Sequence, residues 1–176
     1  MNSLNAAGLY LISTLFDLYL IVMSVRLILA WERASSVNPV TNFIVKITQP
    51  VIGPLRRIIP PIGKLELATL VFILFFEAIK FLVISALFMG VPSAVLLIIL
   101  SIEATIKLIL NTFFFAIILF AILSWIHTGP SPIAYVLQQL SEPILRPLRR
   151  VIPLVSGFDI TPIPALIILQ LLIILL

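Results

Sequence analysis

Pro50-Val51-Ile52-Gly53-Pro54-Leu55-Arg56-Arg57-Ile58-Ile59-Pro60 recurs in the second half of the chain as Pro143-Ile144-Leu145-Arg146-Pro147-Leu148-Arg149-Arg150-Val151-Ile152-Pro153. The prolines, the leucine and both arginines stay in register. At the same offset Asn38-Pro39 matches Ser131-Pro132 upstream, and Glu66 matches Asp159 downstream. One residue more of offset aligns Trp31 with Trp125 and Asp17 with Asn111. The chain is therefore read as a tandem repeat, residues 1–90 and 91–176, each a span, an amphipathic loop and a span.

Composition decides the solvent. Of 176 residues 62% are hydrophobic and 10% charged, and the mean hydropathy is +1.29. Soluble domains carry about 25% charged residues, so this chain has too little polar surface to cover a globule in water. The lack of cysteine excludes disulfides and thiol chemistry. No basic segment precedes the first apolar stretch as a secretory leader requires, so that stretch is expected to remain as a span.

Hydropathy places four spans: Ala7–Trp31, Leu67–Met89, Ala94–Trp125 and Ile160–Leu176, with a break at Gly90-Val91-Pro92-Ser93. About 20 apolar residues cross a bilayer, so the third is long enough to tilt or protrude and the fourth is short. The predicted fold is all-α and polytopic, with four transmembrane helices. Arg33, Lys46, Arg56, Arg57 and Lys64 sit in the first loop, and Arg146, Arg149 and Arg150 in the second. Short basic loops stay cytoplasmic. Two spans per repeat put both loops on that same side and both termini outside, as in an inner-membrane-type protein.

Asn38-Pro39 and Ser131-Pro132 are helix-start signals, a capping side chain followed by proline at the first helical position. Val40, Phe43, Ile44 and Ile47 then recur at helical spacing, as do Ile133, Val136, Leu137 and Leu140. Each loop is predicted as an interfacial amphipathic hairpin, apolar side on the lipid, ended or kinked at Pro50 and Pro143. Lys46, Arg56, Arg57, Arg146, Arg149 and Arg150 are the candidate contacts to anionic lipid headgroups. The plain role of the arginines is to set topology; the sharper one is docking a membrane or cytoplasmic protein. Nucleic acid does not fit, because no aromatic residues alternate with the arginines as a base-stacking platform requires.

Charges inside lipid are costly and mark candidate sites. Asp17 lies about 21 Å inside Trp31 at the helical rise, and Glu77 and Lys80 about 18 and 22 Å inside Leu65. Pairing with Lys80 would offset the cost of both acids. Asn111 and Gln170 are their uncharged counterparts in the second repeat. These five form either a polar clamp between helices or a pathway in a homo-oligomer. Glu103, Lys107 and Asn111 make a stripe on the third span, with Glu and Lys in the favourable order. Arg26 is expected to snorkel to headgroups, and His127 to be an interfacial structural residue. No catalytic constellation, metal set or cofactor motif accompanies them, so no enzymatic activity is expected.

The doubled Pro-Leu-Arg-Arg motif, each copy preceded by a proline-started amphipathic helix and followed by an acid and a span, resembles the YggT family over nearly the whole chain. The resemblance is to its bacterial two-repeat form; single-repeat relatives occur in cyanobacteria and chloroplasts. It implies an association with tolerance of osmotic stress. Plastid relatives are linked to cytochrome complex maturation and nucleoid distribution, and no catalytic residues carry over. The expected function is a membrane scaffold or assembly factor; the alternative is a small ion or solute leak protein.

Overall fold

The computed structural model describes residues 3–88, 90, 92–126, 129, 131–152 and 159–176. The expectations for His127 and for the closing Pro153 of the second motif fall outside them. Six helices follow in order: α1 (Ser3–Trp31), α2 (Pro39–Ile58), α3 (Leu67–Phe88), α4 (Ala94–Trp125), α5 (Pro132–Arg149) and α6 (Pro162–Leu175). Each half of the chain thus runs long apolar helix, amphipathic helix, apolar helix.

α1, α3 and α4 are long and apolar enough to cross a membrane, and apolar residues cover them all round, as for helices immersed in lipid. Exposed side chains such as Leu15, Leu18, Phe75, Ile98, Ile102 and Phe115 form an apolar surface that water would not support. α6, with 14 residues, rises about 21 Å, less than the ~30 Å of a hydrocarbon core.

Three apolar clusters set the packing. Leu20, Met23, Ile52, Phe72 and Ile73 join α1, α2 and α3. Ile117, Leu145, Ala165 and Leu169 join α4, α5 and α6 in the equivalent way. Between them Ile28, Leu29, Ala116, Val136 and Leu140 bind α5 to the first repeat. On α1 and α3, Tyr19 meets Phe72 edge-on at 6.0 Å and Phe72 stacks on Phe76 at 5.0 Å.

The caps are those the sequence signals. Asn38 Oδ1 accepts from the Val40 and Thr41 amides at 2.9 and 3.4 Å, and Ser131 Oγ accepts from the Ala134 amide at 3.3 Å. Asn38 Nδ2 also donates to the Pro132 carbonyl at 2.9 Å, so the starts of α2 and α5 are tied together.

Two expectations for these helices are corrected. The prolines do not end the helices: α2 runs through Pro50 and Pro54, and α5 through Pro143 and Pro147. The prolines stand one turn apart, so their missing amides fall on one side of the helix. Pro50 and Pro54 are exposed, which leaves that face accessible. Nor does the apolar stripe lie mainly on lipid. Ile52, Val136, Leu140 and Leu145 are buried against the spans, while Phe43, Ile47, Ile133 and Val151 remain exposed.

The end of α1 has an unusual turn. The Ala34 amide donates to the Leu29 carbonyl at 2.9 Å and the Arg33 amide to the Ala30 carbonyl at 3.1 Å. This is the Schellman arrangement, whose left-handed position normally holds glycine. Here it holds Arg33, at φ 54°. A side chain in that conformation costs about 1 kcal/mol. Farther on, Gly63 at φ 62° lets Ile62 and Leu65 exchange backbone hydrogen bonds of 3.1 and 3.0 Å. That tight turn carries the chain back so that Glu66 faces α1.

Candidate functional site: two ion clusters and a cavity

Arg26 does not snorkel. It is 4% exposed, and its guanidinium forks onto Glu66, itself 2% exposed, with both nitrogen to oxygen distances 3.2 Å. It also donates to Thr48 Oγ1 at 2.6 Å and Gln49 Oε1 at 3.1 Å. α2 folds across the end of α1 and covers the charge that distance along the helix alone would send to headgroups. Glu66 further accepts from Thr69 at 2.7 Å and pairs with Arg56 Nε at 2.6 Å. One carboxylate thus clasps α1, α2 and α3.

The second repeat has Phe120 where the first has Arg26, and its clasp is rearranged. Arg149, the counterpart of Arg56, pairs with Asp159 at 2.8 Å and with Glu142 at 2.7 Å. Arg146 bridges Glu142 at 3.2 Å and Glu32 at 2.8 Å, the latter on the first repeat. Arg56 and Arg149 therefore latch the motif helix to the start of the next helix. Arg57, Arg150 and Lys46 are exposed and make no ion pair among the described residues. They are the basic side chains of the two motif helices that no carboxylate among the described residues engages.

Burial alone would raise the Glu66 carboxyl. Hydrogen bonds from Arg26 and Thr69 and the charges of Arg26 and Arg56 outweigh it and hold the group below its ordinary value. Asp159 is lowered likewise: burial opposes, while its bonds to Thr161 and Arg149 prevail. A depressed carboxyl contributes stability that is complete above its unfolded value, about 4.3 for Glu and 3.9 for Asp. That contribution disappears as pH falls through the lower folded values. Thermal melts in detergent should be flat from pH 7 to about pH 5 as far as these groups are concerned and fall below about pH 4. Glu66→Gln should flatten the acid limb.

The intramembrane charges form the second cluster. Lys80 Nζ reaches Asp17 Oδ1 at 2.8 Å and Glu77 Oε2 at 2.6 Å, so both anticipated pairs form. Glu77 and Lys80 are buried, while Asp17 is partly open. The stripe on α4 is present: Lys107 pairs with Glu103 at 2.7 Å, and Asn111 Nδ2 donates to the Lys107 carbonyl at 2.9 Å. Asp17, Glu77, Lys80, Lys107 and Asn111 all line one cavity of about 500 Å³, whose wall also includes Leu137 and Leu140 of α5. Gln170 is not part of it. The residue is exposed on α6, so the symmetry that pairs it with Glu77 does not carry it inside.

Sequence reasoning missed the Arg26–Glu66 clasp and the Glu32–Arg146 bridge. A signal existed only for the pairing of Arg56 with Glu66. The acid follows the first motif arginine at the same spacing in both copies, Arg56 to Glu66 and Arg149 to Asp159. Among the described residues no group of histidines and acids could hold a metal ion.

Long apolar helices, two like halves, motif helices latched by ion pairs and a mostly apolar cavity that holds a charged cluster define a membrane protein built by duplication. The chain belongs to the CCB3/YggT family, whose family model matches it twice, at residues 6–87 and 97–176. It is 43% identical to "Uncharacterized protein in proC 3'region" of Vibrio alginolyticus, over 97% of this chain and 91% of that one. It is 38% identical to "Uncharacterized protein YggT" of Escherichia coli K12, over 92% and 82%. A protein of Haemophilus influenzae is 33% identical over 90% and 84%. No solved structure matches.

Proposed function

We propose that the protein is a non-enzymatic scaffold or assembly factor of a bacterial inner membrane. Its two motif helices, α2 and α5, face the cytoplasm, both termini face outward, and α6 is the fourth span. The motif helices offer Arg57, Arg150 and Lys46 to anionic headgroups or a partner protein. One observation carries this reading: each repeat satisfies its inner arginine with a carboxylate of its own and leaves the adjacent one exposed and unpaired. A basic residue at an anionic leaflet adds about 1 kcal/mol, so the surface acts by addition over both repeats. In this reading the role bears on osmotic-stress tolerance, as the family resemblance implies.

The test is complementation of a deletion strain under osmotic upshift. Arg57→Gln/Arg150→Gln should fail to complement while accumulating in the membrane at wild-type level. Full complementation would end the scaffold reading. The cavity favours a second reading, a small ion or solute leak along Asp17, Glu77 and Lys80. Ion flux through reconstituted liposomes that is lost in Asp17→Asn would favour it over the first.

A further inference from the structure

A smaller cavity of about 200 Å³ lies where α2 crosses the end of α1, lined by Arg26, Arg33, Thr41, Gln49, Arg56 and Glu66 among others. Three guanidiniums stand there against one carboxylate. Arg26 is consumed by Glu66, Thr48 and Gln49. Arg56 spends only its Nε on Glu66, and Arg33 makes no ion pair among the described residues. The local balance is positive and uncompensated.

Thr41 gives an independent sign. It is 2% exposed, yet its hydroxyl has no hydrogen-bond partner. Thr48, Ser101, Thr105, Thr112 and Ser141 all turn their hydroxyls onto the carbonyl four residues earlier. Thr41, in the first turn of α2, and Ser24 do not, and of these two only Thr41 lines the cavity. A buried hydroxyl without a partner is rare, and here it lines a positive cavity at a helix start, where the dipole also favours negative charge. Arg33 is a third sign, since it occupies a left-handed position that glycine would take without strain. Strain of that kind is characteristic of ligand sites.

We propose that this cavity binds a phosphate group, carried by an anionic lipid headgroup or free in solution. Arg33 neutralises it and Thr41 Oγ1 donates a hydrogen bond; Arg56, about 22 Å farther along α2, stands at the cavity's other end. The volume is below the ~300–1,000 Å³ of organic-ligand pockets and suits a small anion. The site is separate from Arg57 and Arg150 and does not depend on their role.

The test uses the full chain in phosphatidylcholine nanodiscs with and without phosphatidylglycerol, counting retained lipid by native mass spectrometry. In parallel, melting in neutral detergent is followed with added inorganic phosphate. Wild type should retain phosphatidylglycerol or melt higher with phosphate. Retention without a phosphate effect assigns the headgroup; the reverse assigns the free anion. Arg33→Gly should weaken binding about tenfold, as for a lost charged hydrogen bond, while its ligand-free melting temperature is unchanged or higher. Thr41→Val, close in shape, should weaken binding by a smaller factor and serves if Arg33→Gly folds poorly. No binding of either ligand would overturn the proposal. So would binding equal in wild type and both variants, or binding lost only in Arg57→Gln/Arg150→Gln.

Discussion

Glu66→Gln is expected to lower the melting temperature of the detergent-solubilised protein more than any other single change at the motif helices. Glutamine keeps the shape and one acceptor but removes the charge that the buried Arg26 faces. Breaking one side of a buried ion pair costs about 3–5 kcal/mol, because the remaining charge stays out of water. Arg26 retains Thr48 and Gln49, which places the loss toward the lower end. Asp159→Asn provides the contrast. Arg149 is partly exposed and keeps Glu142, so the loss should be about 1 kcal/mol or less. The double variant Arg26→Met/Glu66→Gln should recover part of the Glu66→Gln loss. Equal melting temperatures for Glu66→Gln and Asp159→Asn would mean that the two repeats are latched alike, contrary to the geometry.

Lys80→Met carries the second large effect. It leaves Asp17 and Glu77 facing one cavity with their shared cation gone. Between spans the hydrophobic effect does not help, since lipid is as apolar as the helix faces, and packing and polar bonds carry association. An unpaired charge at that depth costs about 2.5–3.5 kcal/mol on insertion scales. Folded yield and melting temperature should both fall. Adding Glu77→Gln to Lys80→Met should restore at least half of the loss, and strong non-additivity is expected for groups in direct contact. Additive losses would mean that Lys80 and Glu77 act independently despite their 2.6 Å approach.

The helices and their order were legible because they rest on local chemistry: Asn38-Pro39 and Ser131-Pro132 as starts, apolar runs as spans, the repeated motif as a duplication. What was not legible depends on where segments land. The prolines read as helix ends or kinks because the rule describes one lost amide bond. Pro50 with Pro54, and Pro143 with Pro147, instead place their defects on one side and leave the other hydrogen-bonded. The apolar stripes of α2 and α5 read as lipid-facing because periodicity gives a face but not its neighbour. Residues such as Val136 and Leu140 found Ile28 and Ala116 instead.

At the site, pairing around Lys80 was legible from depth alone, because all three charges come to the same level in the bilayer. Arg26 was not, since its partner Glu66 lies far along the chain and reaches it only through the turn at Gly63. Gln170 shows the limit of symmetry. Its match to Glu77 is real in sequence, but α6 turns it outward and no equivalent of Lys80 follows, Ile173 standing there instead.

Because the chain has no cysteine, every introduced cysteine is a unique label. Lys46→Cys and Gln138→Cys, at exposed positions on α2 and α5, test the shared placement of the motif helices on the cytoplasmic side. Neither should react with a membrane-impermeant maleimide in intact cells, and both should react once the membrane is permeabilised. Labelling of either one in intact cells would contradict that placement, and with it the proposed presentation of Arg57 and Arg150 to one leaflet.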